Sequence, residues 1–320
     1  MPDDRLNALA FDYPEYIPVS VTFLPSVWMK YRDDLRALVE RHPIIFGPRN
    51  GIDRDYDAVG GTYVEGEHID LWGCTWSNVS TGFEAIVTGH PLPARESVRE
   101  FRGPDHLLGR LPHGFMYLRL ADLRGFEEIM IDFAEEPAEL QMLIDIVLEH
   151  NVRELEQILA HWQGGPWIYF GDDLGMQHAL PISPQKWRKY LKPCFMRLYG
   201  MCHDAGLYVY MHSDGHMVEI IPDLIECLVN IINPQVRANG LENIARTCKG
   251  KVCIDLDLDR QLFPFCTPDE IDAHVRECVE TLGAPEGGLW LKASCTPDFP
   301  LENIEAICTA LEKYRSHFSR

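Results

Sequence analysis

The stretch LYVYMHSDG, residues 207–215, decides how the rest of the chain is interpreted. Its apolar residues predict a buried strand, and Gly215 allows a sharp turn at its polar end. At the two-residue period of a strand, Tyr210, His212 and Asp214 share one face. Parallel α/β enzymes place their chemistry at the carboxyl ends of such strands. The pair His212 and Asp214 is therefore a candidate site, and the alternative is a loop in which both side chains are satisfied by hydrogen bonds.

The composition is that of a globular protein. The chain has 320 residues, of which 46% are hydrophobic and 24% charged, which suits one large α/β domain or two small ones. No apolar run approaches the roughly 18 residues that a membrane helix requires. The N-terminal segment MPDDRLNALAFDYPEY lacks the apolar centre of a signal peptide. We therefore expect a cytoplasmic protein with no membrane partner.

Net charge and cysteine usage narrow the classes of partner. The formal net charge of −20 disfavours nucleic acids and anionic membranes, because both bind through a cationic face. A polyanionic substrate would also need a local basic cleft to overcome the general repulsion. The ten cysteines occur singly and form no Cys-x-x-Cys pair. Most of them are therefore expected to be reduced core residues.

From residue 114 onward the sequence alternates between strand and helix patterns. The expected strands are 17–24, 114–120, 167–172, 207–215, 229–233, 251–256 and 288–292. The expected helices are 28–42, 125–134, 137–162, 184–205, 217–227, 241–248, 268–282 and 301–317. Ser183 is the expected N-cap of the helix that begins at Pro184. Residues 1–16 are expected to form a surface arm, and residues 43–66 a loop.

Short connections between alternating strands and helices predict a parallel sheet with helical crossovers. Seven strands are evident, and residues 60–90 have room for an eighth, which would close a (β/α)8 TIM barrel. We therefore predict an α/β fold with a single barrel domain over residues 1–320. A doubly wound open sheet is the alternative. No G-x-G-x-x-G follows an early strand and no P-loop occurs, so nucleotide binding has no support.

Polar side chains follow nearly every expected strand. If the fold is a barrel, they line a polar cavity at the carboxyl ends of the strands. They are Asp172 and Asp173 with Gln177 beyond them, His212 and Asp214, Asn233 and Gln235, Asp255 and Asp257, and Lys292 with Cys295. Taken singly, each aspartate at 172 and 173 is typical of a turn, Lys292 of a structural ion pair, and Cys295 of a buried thiol.

Three of these side chains carry donor atoms that zinc accepts. His212, Asp214 and Cys295 offer an imidazole, a carboxylate and a thiolate, and three protein ligands would leave a fourth position open for substrate. The spacing His-x-Asp is far less specific than a Cys-x-x-Cys pair. A polar site held by hydrogen bonds is therefore the alternative to a metal site.

Several longer segments resemble the uroporphyrinogen decarboxylase-like superfamily. They are GDDLGMQHALPISPQKWRKYLKP (171–193), YMHSDGHMVEIIPDLIE (210–226), NIINPQ (230–235) and PLENIEAI (300–307). DLWGCTW (70–76) and LRGFEEIMIDFAEEP (123–137) resemble its methyltransferase branch. The resemblance covers nearly the whole chain from about residue 16. It implies a single (β/α)8 barrel with its site at the carboxyl ends of the strands.

Two activities compete within the superfamily. The decarboxylases carry an early RQAGRY-like motif whose arginines receive substrate carboxylates. The corresponding region here, SVTFLPSVWMKYRDD (20–34), lacks that motif, and the acidity of the chain also disfavours a polycarboxylate. The methyltransferase branch moves methyl groups to or from a cobalt corrinoid on a separate carrier protein. The resemblance therefore implies cobalamin on a partner, because this chain has no D-x-H-x-x-G corrinoid motif of its own.

The methylcobalamin:coenzyme M enzymes of this branch bind zinc through a His-x-Cys and a late Cys. Here His212 matches the His, Asp214 stands where the Cys would be, and Cys295 lies near the late Cys. The loss of one thiolate disfavours thiol activation. The sequence is more similar to the members that take a methyl group from a methoxylated aromatic donor.

Demethylating an aryl methyl ether requires the leaving oxygen to be protonated or bound to a Lewis acid as its bond to carbon breaks. The expected catalytic residues are His212, Asp214, Asp172 and Asp255. The expected substrate-binding residues are Asp173, Gln177, Tyr210, Asn233, Gln235, Asp257 and Lys292, with Trp72 and Trp76 as further aromatic walls. A barrel that binds a methoxylated ligand without turnover is the remaining alternative, and the row of ionisable residues argues against it.

Overall fold

Helices and strands alternate along most of the chain. The structure, a computed structural model, describes residues 2–48 and 54–319. The strands are β1 (Val19–Phe23), β2 (Gly66–Ile69), β3 (Thr75–Asn78), β4 (Ile86–Gly89), β5 (Trp167–Gly171), β6 (Tyr208–Ser213), β7 (Ile231–Pro234), β8 (Cys253–Asp257) and β9 (Leu289–Cys295). The helices are α1 (Pro2–Leu9), α2 (Pro25–Arg41), α3 (Pro43–Phe46), α4 (Tyr117–Arg124), α5 (Phe126–Glu135), α6 (Ala138–Ala160), α7 (Pro184–Tyr190), α8 (Lys192–Asp204), α9 (Ile221–Glu226), α10 (Val236–Asn239), α11 (Leu241–Cys248), α12 (Pro268–Leu282) and α13 (Leu301–Tyr314).

Six strands form one sheet, in the order β1-β9-β8-β7-β6-β5. The pairs β1–β9, β5–β6 and β8–β9 are parallel. Each strand from β6 to β9 therefore lies beside the strand before it in the chain, and β1 lies beside β9. A doubly wound sheet instead has its first strand in the interior and reverses its order there. The observed order is that of a (β/α) barrel, which confirms the predicted fold class and excludes the doubly wound alternative.

Residues 60–90 do not supply the eighth barrel strand that we expected. The strands β2, β3 and β4 form a separate sheet of their own, in which β3 and β4 are antiparallel. The loop expected at 43–66 contains the short helix α3 and a 3-10 turn at Gly61–Tyr63, and its residues 49–53 lie outside the described residues. None of the helices in the described ranges combines the length and the apolar character needed to span a bilayer.

The strand predicted at residues 114–120 is wrong, because helix α4 begins inside that range. Its apolar residues suggested a strand when taken locally. In the structure, the backbone N–H groups of Tyr117 and Leu118 donate to the carboxylate of Asp172 at 2.6 and 2.9 Å. A carboxylate that accepts these bonds satisfies the otherwise unpaired first turn of a helix. Asp172 lies 55 and 54 residues further along the chain, so this cap leaves no local signal.

The described chain divides into two compact units. The first comprises Met1–Gly66, Asn78–Ala85 and Asn233–Arg320, and the second comprises Glu67–Ser77 and Ile86–Ile232. In the first unit, α12 begins with a capping box. Thr267 Oγ1 accepts from the backbone N–H of Glu270 at 3.4 Å, and the Glu270 carboxylate accepts from the N–H of Thr267 at 2.7 Å. The prediction of one domain over the whole chain stays a prediction.

The N-terminal residues pack into the first unit, whereas we expected a surface arm. Ala8 and Leu9 of α1 are buried, and the N–H of Gly288 donates to the carbonyl of Ala8 at 2.8 Å. A Cβ on Gly288 would lie 2.2 Å from the ring of Phe11. The absence of a side chain at this position is therefore what allows the N-terminal segment to pack so closely.

The second unit has an aromatic core beneath β5. Phe170 packs edge-on against Tyr199 and Phe115, with ring centroids 4.8 and 5.3 Å apart, a geometry that aromatic pairs favour. The predicted N-cap is confirmed, since Ser183 Oγ accepts from the N–H of Lys186 at 3.3 Å. The helix expected over 184–205 is divided into α7 and α8 at Leu191.

Candidate active site

The parallel strands β5 and β6 bring aromatic and imidazole rings together in the second unit. Their register pairs Tyr169 with Tyr210 and Gly171 with His212. The ring of Tyr169 lies 5.1 Å from that of Tyr210 and 6.4 Å from that of His212, centroid to centroid. Tyr210 and His212 thus contact the same neighbouring ring, as expected for residues two apart on a strand.

His113 joins this group from the loop before α4. Its Nε2 lies 3.1 Å from Asp173 Oδ2, and its ring centroid lies 5.6 Å from that of His212. The N–H of Gly114 donates to the carbonyl of Gly171 at 2.8 Å, which fixes the loop against the end of β5. A Cβ on Gly171 would lie 2.4 Å from His113 Nδ1. Glycine at 171 therefore leaves the space that the imidazole occupies.

Hydrogen bonds join the loops that follow β5 and β6. The N–H of Asp214 donates to Asp173 Oδ1 at 2.9 Å, and the N–H of Leu174 donates to Ser213 Oγ at 2.9 Å. Asp214 Oδ1 lies 3.3 Å from His212 Nε2. The Asp173 carboxylate is thus held by the Asp214 backbone through one oxygen and faces His113 with the other. This arrangement fixes the carboxylate relative to both imidazoles.

Two groups at the site have perturbed acidities. Burial acts to lower the pKa of His113, but the hydrogen bond and the negative charge of Asp173 outweigh it, and the pKa is raised above its ordinary value. Burial raises the pKa of Asp172 to about 7, against the lowering effect of the N–H groups of Leu118 and Tyr117. Groups whose pKa is perturbed in this way are typical of functional sites.

Four further residues predicted for the site, Asp172, Gln177, Trp72 and Trp76, also belong to the second unit. Asp172 is fully buried and accepts the first two N–H groups of α4, so we interpret it as a positioning residue, and its catalytic role stays a prediction. Gln177 is exposed in the loop after β5. Trp72 packs edge-on against His150 at 4.7 Å, and Trp76 Nε1 donates to a carboxylate oxygen of Asp70 at 3.1 Å. Their roles as substrate walls stay predictions.

The other predicted residues belong to the first unit, at the carboxyl ends of β7, β8 and β9. Asn233 is buried, and its side-chain amide donates to the carbonyl of Asp255. Gln235 forms a parallel bridge with Asp257, and Asp257 is in register with Lys292 of the next strand. The alternation of β8 places Asp255 and Asp257 on one face. The substrate-binding and catalytic roles of these residues stay predictions.

Among the described residues, three side chains that could hold a metal ion lie close together at one place. His113, Asp173 and His212 each offer a ligand atom, and these atoms all lie within 4.8 Å of one another. The set differs from the expected His212, Asp214 and Cys295. Cys295 belongs to the first unit and is buried, and burial raises the pKa of its thiol above the ordinary value. The expected set His212, Asp214 and Cys295 stays a prediction.

The sequence profile of the uroporphyrinogen decarboxylase (URO-D) family matches residues 117–314, which is more than half of the chain. The chain belongs to the URO-D family. The matched range of this URO-D family member begins at α4 and includes Asp173 and His212, whereas His113 lies just before it. A comparison with curated proteins finds no match.

Solved structures give the fold of this URO-D family member a second support. A methyltransferase from Methanosarcina mazei is 18% identical, with a TM-score of 0.65, over 97% of this chain and 98% of its own. A B12-independent methionine synthase from Shewanella sp. W3-18-1, in complex with selenomethionine, is 13% identical, with a TM-score of 0.37, over 62% of this chain and 58% of its own. The first shows a shared fold, and the second is too distant to support an argument.

Proposed function

We propose that the chain is a methyltransferase that moves a methyl group from a methoxylated aromatic donor to the cobalt(I) corrinoid of a separate carrier protein. The observation that carries this proposal is the group His113, Asp173 and His212 beside the rings of Tyr169 and Tyr210. The fold that the chain shares with a methyltransferase structure supports it. The corrinoid would supply the nucleophile, and the residues of this chain would bind the donor and activate its oxygen.

The leaving oxygen sets the main chemical demand. When the bond between the methyl carbon and the ether oxygen breaks, the oxygen keeps the electron pair and becomes a phenolate, a poor leaving group at neutral pH unless it is protonated or bound to a Lewis acid. Two imidazoles and a carboxylate within 4.8 Å of one another can meet that demand. His212 lies at the end of β6, where the ether oxygen of a donor would contact it.

The aromatic surroundings suit an aryl ring. Tyr169 is half-exposed while Tyr210 is buried beside it, so an incoming donor could pack its aryl ring against Tyr169. Offset stacking on such a ring contributes about 0.5–1.5 kcal/mol beyond the area buried. It would also fix the orientation of the methoxy group relative to His212, and correct orientation is a large part of the rate of a displacement reaction.

Decarboxylation of a polycarboxylate is the second candidate, because the family carries that name. Such a substrate needs arginines that are available to its carboxylates. The buried arginines of the second unit are already paired, Arg119 with Asp70 at 2.7 Å and Arg124 with Asp132 at 2.8 Å. Using either of them for substrate would break an existing ion pair of a buried guanidinium, which is costly. The methyl-transfer proposal avoids that cost.

The test uses cob(I)alamin, reduced in the absence of oxygen, with a panel of methoxyphenols and methoxybenzoates. The loss of the cob(I)alamin absorption together with release of the phenol would support the proposal. His212→Ala should slow this reaction by about a hundred- to ten-thousandfold, the range for general-acid assistance. The exposed His161, which follows α6, provides the control variant His161→Ala. Release of carbon dioxide from uroporphyrinogen, or methylation of 2-mercaptoethanesulfonate by methylcobalamin, would replace the proposal by the decarboxylase or the thiol methyltransferase.

A further inference from the structure

We infer that His113, Asp173 and His212 bind one divalent transition-metal ion, with zinc as the first choice. None of these three ligands is a cysteine. Only His212 belongs to the ligand set expected from the sequence, and His113 and Asp173 are new. Metal binding itself does not depend on the proposed function. The role of the ion as a Lewis acid for the ether oxygen does rest on that function.

The distances between the donor atoms suit such an ion. His113 Nε2 and Asp173 Oδ2 are 3.1 Å apart, and neighbouring ligand atoms in a tetrahedral zinc site with bonds of about 2.1 Å lie about 3.4 Å apart. All three donor atoms lie within 4.8 Å of one another. Some point therefore lies within about 2.8 Å of all three donor atoms, and side-chain shifts of about 1 Å give zinc bond lengths.

The three ligands sit on backbone that the fold holds in place. The hydrogen bond from Gly114 N–H to the Gly171 carbonyl fixes the loop that carries His113. The hydrogen bond from Asp214 N–H to Asp173 Oδ1 fixes the carboxylate of Asp173. His212 lies within β6 itself. A site assembled in this way loses little conformational freedom when it binds an ion, which favours affinity.

Asp214 fits the role of a positioning residue for His212. Its Oδ1 lies 3.3 Å from His212 Nε2. Imidazoles that bind a metal almost always donate a hydrogen bond from their other ring N–H to a carboxylate, a carbonyl or water. With the ion on His212 Nδ1, Asp214 would accept from Nε2–H and so fix the tautomer and the ring orientation of His212. It also adds negative charge next to a cation.

The composition of the donor set indicates which ions fit. Two imidazoles and one carboxylate suit zinc, and iron(II) in the related facial arrangement, better than magnesium or calcium, which prefer oxygen donors. Three protein ligands leave at least one coordination position open. An ether oxygen of the donor, or water in its absence, would occupy that position.

The test is a zinc titration of chelator-treated protein by calorimetry, combined with metal analysis. Wild type should bind one zinc ion per chain. His113→Ala and Asp173→Asn should each lower the zinc affinity more than 100-fold, whereas an outer partner such as Asp214 is expected to change it by about 10–100-fold in Asp214→Asn. Asp173→Asn keeps the oxygen that accepts the Asp214 N–H. Cys295→Ser and the surface control His161→Ala should bind zinc as wild type does.

A spectroscopic readout on wild type keeps the inference testable if a variant fails to fold. Cobalt(II) bound to the protein should show the visible bands of a low-coordinate nitrogen and oxygen site without a thiolate charge-transfer band. A thiolate band, loss of zinc in Cys295→Ser, unchanged zinc affinity in His113→Ala, or no zinc binding by wild type would each overturn the inference. Zinc binding without methyl transfer would support the metal site and rule out the proposed function. Methyl transfer without zinc binding would support the proposed function and rule out the metal site.

Discussion

The close approach of Gly175 to the loop after β6 gives the sharpest test of how the site is held. An ideal Cβ on Gly175 would lie 2.4 Å from the backbone N and O of His216 and 2.6 Å from the carbonyl carbon of Gly215. Ordinary contacts begin near 3.4 Å, so Gly175→Ala must separate the two loops by about 1 Å. The neighbouring atoms are backbone and cannot rotate away, so the shift has to be taken up by the loops themselves.

The expected loss of stability follows from the bonds between those loops. Separation stretches the bond from His216 N–H to the Met176 carbonyl, now 2.7 Å, and that from Asp214 N–H to Asp173 Oδ1, now 2.9 Å. Two weakened hydrogen bonds cost about 1–3 kcal/mol, and overpacking adds about 1–3 kcal/mol. We expect Gly175→Ala to lower the free energy of unfolding by about 2–6 kcal/mol.

Gly175→Ala should also lower the zinc affinity and the rate of methyl transfer. A misplacement of about 1 Å costs on the order of a hundredfold in rate, and here it moves Asp173 relative to His212. Urea unfolding followed by circular dichroism measures stability, and the zinc titration and the cob(I)alamin assay measure the site. The matched control is Gly200→Ala, because Gly200 lies inside α8 with nothing within 4 Å of an added Cβ. That variant should gain about 0.5–1 kcal/mol. Gly175→Ala with wild-type stability and wild-type activity would refute the reasoning.

Three further predictions concern other parts of the chain. Burial raises the pKa of Asp122 from 3.8 to about 6, so the folded state holds its proton more tightly, and its stabilisation is full below about pH 4 and lost as the pH rises through 6. The stability of wild type relative to Asp122→Asn should therefore fall over that range in urea titrations, and a constant difference would contradict this. Of the ten cysteines, all within the described residues, Cys266 alone is not buried, so a thiol reagent should modify it first, and Cys266→Ser should remove the fast phase. Asn303 donates its buried amide to the carbonyls of Phe263 and Cys266 at 2.6 and 2.8 Å; Asn303→Ala should cost about 2–4 kcal/mol, and a loss below about 0.5 kcal/mol would show that water replaces the amide.

The strands and helices that the sequence predicted well are those whose signals are local. The helix at Leu241–Cys248 has the predicted bounds, because Gly240 precedes it and a polar tail follows its last turn. Strand β6 matches the apolar part of residues 207–215. In both segments, the residues that decide the structure lie within the segment or directly beside it.

The errors occur where the deciding partner is distant in sequence. Helix α4 is capped by Asp172, so an apolar run that is typical of a strand becomes a helix. His113 was not predicted as a site residue for the same reason. Its position depends on the hydrogen bond from Gly114 N–H to the Gly171 carbonyl and on the space that the missing side chain of Gly171 leaves. The sequence carries a weak signal, because Pro112 and Gly114 flank His113 and this combination indicates a loop and not the start of a strand. In the structure Gly114 has a φ of +75°.

The ligand set of the inferred metal site bears on which methyl donor the proposed methyltransferase would use. The resemblance implied an imidazole and two thiolates, and this chain carries Asp214 in place of one of those thiols. The other thiol, Cys295, is not part of the group formed by His113, Asp173 and His212. An ion held instead by two imidazoles and a carboxylate is a harder Lewis acid, which binds oxygen in preference to sulfur. Such an ion would activate an ether oxygen better than a thiol, so the aspartate at position 214 and the inferred ligand His113 would both favour the proposed demethylation of an ether over methylation of a thiol.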